Sequence, residues 1–282
     1  MNQPNKDTID MSLYDSSMFK MVSSVVVLAI LSGFYCFGLT QAVRGSVLLE
    51  VVVSLLLPLF FWASKSFQYF GPRLLQLVVI ESLFNILIIL SRASIRYDAV
   101  ALNEICGWGF VAFFVVQTIG FVVIQLKRKR WHGVFQSALF FGALMVWWWR
   151  APMTGVIEDE VGRVLFWGED APIALQIFYS IWLINVLLVD SPYIPKLNFA
   201  VVNFASLAVA LTSGEFFHVR LLTACHLFVL EGVFGYGWPK GFGESFGLIP
   251  KTSRPSFTGL IQPVLAGLCS LGSLLCFWSY VF

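Results

Sequence analysis

The stretch LLQLVVIESLFNILIILS, residues 74–91, decides how this chain is read. It is long enough to cross a bilayer as a helix, yet Glu81 sits inside it and Asn85 follows one turn later. A carboxyl group at that depth costs roughly 2.5–3.5 kcal/mol on insertion scales, so it is expected to face a protein interior or a wet cavity. A step of four from Glu81 reaches Asn85 and a further step of seven reaches Arg92, which places all three on one helical stripe.

The rest of the chain has the same character. Of 282 residues, 58% are hydrophobic and 12% charged, and the mean hydropathy is +0.82. Soluble domains carry about 25% charged residues, so the expected fold class is all-α, a polytopic transmembrane helical bundle. Nine apolar segments are candidate spans, near 20–42, 45–63, 74–91, 105–126, 133–149, 171–189, 197–213, 216–236 and 258–281. The seventh is short enough to pair with the eighth as a half-span, so the expected count is eight or nine. Residues 1–18 are polar and are expected to form a disordered tail, with 19–282 as a single transmembrane domain.

Loop charge sets the expected orientation. The tail and the even connections carry about twice the Lys and Arg of the odd ones, helped by the run Lys127-Arg128-Lys129-Arg130. This puts the N-terminus in the cytosol, and Glu158-Asp159-Glu160 and Glu169-Asp170 on the lumenal side. With no targeting motif, the endoplasmic reticulum or another internal membrane is the expected location.

Several function classes are disfavoured. The net charge of +2 and the lack of a basic face argue against a nucleic-acid partner. The five cysteines lie in or beside apolar runs, without a CxxC pair or a His at ligand spacing, and read as small buried hydrophobes. No metal site and no cofactor are expected. The sequence contains no GxSxG, P-loop, HExxH or GxGxxG motif, and no Asp-rich cluster of the kind that binds magnesium diphosphate. The glycine-rich stretch at 235–251 follows an apolar segment rather than a strand and reads as a cytosolic loop.

Buried acids and aromatics therefore carry the functional reading. Glu81 is joined in the cytosolic half by Glu231, five residues before the end of the eighth segment, and by Asp190, which ends the sixth. Desolvation favours the protonated form of such a group, the form a general acid needs. Glu50 and Asp190 lie near segment ends, where pairing and helix packing are the plainer roles. His226 is about 140° around the helix from Glu231 and reads as a hydrogen-bonded core residue, while His218 and Glu215 read as interfacial. Trp147-Trp148-Trp149-Arg150 reads as an interfacial belt. Tyr179 and Trp182 stand mid-segment and three apart, on one face, where they can pack a core or stabilise a cation by cation–π attraction.

Glu81 in an early segment, a later acid in Glu231 or Asp190, and 28 Phe, 10 Trp and 8 Tyr together resemble the small integral-membrane terpene cyclases of fungal meroterpenoid and indole-diterpene pathways. The last segment, ending CFWSYVF, has the aromatics of that family but lacks the acid found near its C-terminal helix. The resemblance implies a metal-independent enzyme of secondary metabolism acting on a lipophilic prenylated small molecule held among membrane lipid. Glu81 would protonate an epoxide or alkene, with Asn85, Tyr179 and Trp182 around the substrate. Glu231 or Asp190 would remove the final proton. The alternatives from the residues themselves are a proton-coupled transporter, with Glu81, Asn85 and Arg92 along its pathway, and a non-catalytic membrane subunit.

Overall fold

The computed structural model describes residues 6–63, 72–190, 197–231 and 261–282. It is 83% helical. The helices are α1 (Lys6–Arg44), α2 (Val47–Ala63), α3 (Pro72–Arg96), α4 (Val100–Lys127), α5 (Trp131–Arg150), α6 (Ile173–Ile184), α7 (Leu197–Ser213), α8 (Phe216–Glu231) and α9 (Ile261–Val281). A π-helical stretch, Asn185–Asp190, continues α6. Each apolar segment of the sequence thus coincides with a helix. Among the described residues three stretches are long and apolar enough to cross a membrane: Val25–Arg44, Val100–Lys127 and Pro263–Val281. Shorter apolar stretches are Val47–Leu56, Ile173–Leu187 and Ala200–Ser213. Helix α1 begins at Lys6, inside the segment expected to be a disordered tail.

Tight connections reverse the chain between α1 and α2, α3 and α4, α4 and α5, and α7 and α8. Ser46 Oγ accepts a hydrogen bond from Leu49 N–H at the start of α2, which restarts the chain two residues after α1 ends. Between α4 and α5, Lys129 takes φ +57°, and between α7 and α8 Gly214 takes φ +72°. The C-termini of odd-numbered helices and the N-termini of even-numbered ones consequently gather at one end. Arg150, the last residue of α5, donates to the Tyr280 and Val281 carbonyls of α9, both at 3.0 Å.

At that end lies an element that hydropathy did not announce. Strands β1 (Val156–Glu158) and β2 (Val164–Phe166) form an antiparallel hairpin, with Val156 opposite Phe166. Asn103 at the start of α4 holds it by donating to Val156 O (2.8 Å) and accepting from Val156 N–H (3.0 Å). Gly107, one turn further along α4, permits this approach, because a Cβ there would lie 1.6 Å from the Thr154 carbonyl oxygen. Phe166 and Trp167 then enter the core, with Phe166 stacked on Phe110 at 4.3 Å between ring centroids.

Beneath the hairpin runs a buried ion network. Arg92 Nη1 donates to Glu50 Oε2 (2.6 Å) and to the Val43 carbonyl (3.0 Å), while Nη2 and Nε reach Glu158 at 2.8 and 3.2 Å. His218 bridges Glu50 Oε1 (3.0 Å) and Glu215 Oε2 (2.7 Å). Glu215 also accepts from Val164 N–H at 2.8 Å and pairs with Arg44. One network therefore ties the ends of α1, α2, α3 and α8 to both strands. Glu50 has the packing role expected of it. Glu215 and His218, expected at the interface, are each only 1% exposed, because the hairpin covers the end of α8. Trp147, expected in an interfacial belt, is buried and donates to Glu169 at 2.9 Å, whereas Trp149 is exposed.

Asp170 joins the hairpin to α8 by accepting from Phe216 N–H at 2.7 Å, which satisfies a free donor at that helix start. Burial pushes its carboxyl up from the ordinary range; the Phe216 and Ala171 N–H groups oppose this, and Glu215 adds to it. Asp159 behaves oppositely: burial raises it, but hydrogen bonds from the Arg163 backbone and guanidinium prevail and hold it down.

Arg92→Ala leaves Glu50 buried without its guanidinium and releases the hairpin. A loss of about 3–5 kcal/mol is expected, the range for breaking one side of a buried pair. Denaturant unfolding of the purified protein in detergent measures it, and a change below about 1 kcal/mol would refute the network's structural role.

Candidate functional site

About 16 Å along α3 from Arg92, at 1.5 Å per residue, Glu81 opens onto a different environment. It lines a cavity of about 30 Å³ between α3, α4, α5, α6 and α8. That volume holds roughly two waters. The carboxyl is 7% exposed, and its Oε2 has no hydrogen-bond partner. Every acid in the ion network, by contrast, has a cation against it.

The wall is aromatic. Helix α6 contributes Tyr179 and Trp182, α4 contributes Phe114 and Phe121, α5 contributes Phe140 and α8 contributes Phe217. Trp182 stacks on Phe140 (5.5 Å, 14° between planes) and meets Phe121 edge-on (4.8 Å, 87°). Its indole N–H donates to Ser137 Oγ at 3.2 Å, which fixes the ring. The structure thus brings Tyr179 and Trp182 together with Glu81, three residues singled out by the sequence.

Asn85 is placed differently. It is buried, but it folds back to donate to the Glu81 backbone carbonyl at 3.1 Å and is not among the lining residues. The stripe of Glu81, Asn85 and Arg92 shares one helix face yet serves two depths, because seven residues rise by about 10 Å. The side chains of Asp190 and Glu231 lie outside the described residues, as does the stretch 235–251. His226 is a buried core residue as expected, its Nδ1 2.8 Å from Tyr35 Oη. Cys36, Cys106, Cys225 and Cys269 are buried and Cys276 is half-buried, none of them in a disulfide.

Arg220 is the residue that sequence reasoning missed. One turn above Ala224 on α8, it lines the same cavity as Glu81 and is 4% exposed. Its Nε donates to Tyr179 Oη (3.1 Å), Nη1 to Ser206 Oγ (2.8 Å) and Nη2 to Asn203 Oδ1 (2.7 Å). Its Cζ lies 5.9 Å from the Tyr179 ring centroid. The signal was present, since an Arg inside the apolar run FFHVRLLTACHLF is as anomalous as an acid. Attention to carboxylates alone passed over it.

The site therefore combines an acid with an unpartnered oxygen, a fixed guanidinium, the neutral polar groups Gln117 and Thr118, and six aromatic rings. Among the described residues no group of His, Cys, Asp and Glu is placed to hold a metal ion. Comparison with protein families, curated proteins and solved structures finds no match to this chain.

The two charged residues should respond differently to substitution. Glu81→Gln keeps the shape and removes a carboxyl whose Oε2 already lacks a partner, so stability should change by less than about 1 kcal/mol. Arg220→Ala strips Tyr179, Ser206 and Asn203 of their donor and should cost about 3 kcal/mol or more. Thermal midpoints in detergent compare the two; an equal, large loss in both would make Glu81 a packing residue.

Proposed function

We propose that this chain is a membrane-embedded terpene cyclase of secondary metabolism, in which Glu81 protonates an epoxide or alkene of a prenyl chain. The observation that carries the reading is one cavity shared by Glu81, Tyr179 and Trp182. An acid with an unpartnered oxygen supplies the proton, and electron-rich ring faces supply the stabilisation that a moving positive charge needs.

The steps follow from the residues. Neutral Glu81 transfers its proton to the epoxide oxygen; the C–O bond breaks, leaving a hydroxyl and a tertiary cation. The double bonds of the chain attack in turn, each closing a ring and moving the charge along the wall of Tyr179, Trp182, Phe121 and Phe140. The last cation loses a proton to a base, for which Glu231 and Asp190 are the candidates. The aromatic lining keeps water from quenching the cation early. Ligand pockets for molecules of this size span roughly 300–1,000 Å³, so the helices must part to admit the chain. The π-helical turn after Trp182 is a fitting place for that movement, because such turns interrupt the regular helical ladder.

The same proposal places eight or nine spans across an internal membrane, the endoplasmic reticulum or another, with the N-terminus cytosolic. Its support is the alternation of helix ends and the charge of the connections. The basic turn after Lys127 and the acidic hairpin lie at opposite ends of α4, a helix of 28 residues and about 42 Å. Reacting groups buried among the helices suit a lipophilic prenylated substrate that arrives through the membrane lipid.

Glu81 and Arg220 on one cavity also favour a second reading, a proton-coupled carrier in which the protonation cycle of Glu81 beside the fixed charge of Arg220 gates passage. Incubating the protein in lipid nanodiscs with an epoxidised farnesyl phenol separates the two. A cyclised isomer of equal mass is expected from the native protein, with a rate about 10²–10⁴-fold lower in Glu81→Gln. Full cyclisation by Glu81→Gln, or uptake driven by a pH gradient without chemical change, would overturn the cyclase reading.

A further inference from the structure

The proton donor leaves a problem behind it: once its proton has gone, Glu81 is a carboxylate buried among aromatic rings. An isolated buried charge of this kind carries a penalty of several kcal/mol, which would stand directly on the reaction barrier. We infer that Arg220 is the fixed counter-charge that holds Glu81 as a carboxylate after proton transfer, a positioning residue that exchanges no proton itself. The inference rests on the reading of Glu81 as the proton donor.

Four observations carry it. Glu81 and Arg220 line one cavity from different helices, α3 and α8, yet no direct ion pair joins them among the described contacts. The three groups that hold the guanidinium, from Tyr179, Ser206 and Asn203, are neutral, so these hydrogen bonds fix its position without cancelling its charge. Ser206 is itself bonded to Thr223 at 2.6 Å, and Thr223 to the Val219 carbonyl, so the cradle is braced from behind. Glu81 Oε2 lacks a partner, which leaves it free to face a substrate oxygen. A direct salt bridge would lock the acid in its ionised form; a guanidinium held off across the cavity interacts with the carboxylate only when it forms.

The other titratable groups near the couple are few. The Tyr179 hydroxyl comes from α6, Cys225 from α8 and Cys36 from α1, while α4 and α5 bring Gln117, Thr118 and Phe140, and α7 brings Asn203 and Ser206. Among these described groups Arg220 is the cation. Its bond to Tyr179 adds a second effect. The donated hydrogen bond holds the phenol oxygen of Tyr179 toward α8.

The test uses the full-length protein in nanodiscs, with Arg220→Gln and Arg220→Lys. Infrared difference spectra follow the carbonyl band of protonated Glu81, assigned by its loss in Glu81→Gln. In Arg220→Gln the band should persist to a pH about one unit higher than in the native protein, a tenfold change in proton affinity. In Arg220→Lys, which keeps the charge, it should stay within about half a unit. An unchanged titration in folded Arg220→Gln overturns the inference. Where the Gln variant does not fold, a shift of about one unit or more in Arg220→Lys overturns it instead. With the epoxidised farnesyl phenol, Arg220→Gln should lower kcat about 10²-fold with KM nearly unchanged, and Arg220→Lys should recover most of the rate. A change confined to KM would make Arg220 a binding group and refute the counter-charge. If the native protein converts no prenyl substrate, the proposed activity fails, while the band titration still decides whether the couple exists.

Discussion

The buried guanidinium of Arg92 is the constraint on which the rest of the structure depends. It lies at the end of α3, yet its partners come from the end of α1, the start of α2 and the first strand of the hairpin. A buried cation needs matched partners on all its donor faces, or its desolvation outweighs what it gains. Here the matching is supplied by parts of the chain distant in sequence: Val43, Glu50 and Glu158. Satisfying one side chain therefore fixes the relative height of several helices. Once those heights are fixed, residues on α3, α4, α5, α6 and α8 at the next level down meet around a common space. The cavity is a consequence of the charge network above it.

The two polar systems on α8 differ in a way that separates structure from chemistry. Glu215 and His218 belong to the upper network, where each carboxylate of Glu50 and Glu215 meets a cation and each ring nitrogen of His218 meets a carboxylate. Two residues further along, Arg220 enters a system in which the acid it faces keeps an unpartnered oxygen. A saturated buried network rigidifies; an unsaturated one retains a reason to bind something. Glu50 and Glu81 are both deeply buried acids in apolar segments. Only the completeness of their surroundings tells them apart.

That completeness is also what the sequence could not display. Hydropathy located every described helix, because burial in a largely apolar environment writes itself into runs of residues. Glu81, Tyr179 and Trp182 were legible for a related reason, since a polar or amphipathic residue deep in such a run stands out and its helical phase can be counted. The hairpin was not, because strands of three residues between turns leave no periodic trace. Without the hairpin, Glu215 and His218 could only be placed at an interface, when Glu158 and Val164 in fact close over them. Arg92 was correctly put on the face of Glu81, but phase says nothing about depth. Arg92 lies about 16 Å further along α3, among partners from α1, α2 and β1.

The smallness of the cavity has its own significance beside that order. Aromatic rings, some stacked and some edge to face, line the small cavity beside Glu81 and leave the acid a neighbour of six ring systems. A wide polar vestibule would let water quench any cation formed there, and a fully packed core would leave no room for a reacting atom. The lining is instead built of rings pinned by single hydrogen bonds, Trp182 to Ser137 and Tyr179 to Arg220. Each bond fixes its ring against a neighbouring helix, apart from the charge network at the helix ends. The fold thus separates a cap saturated with ion pairs from an aromatic chamber beneath it, in which one acid keeps an unpartnered oxygen.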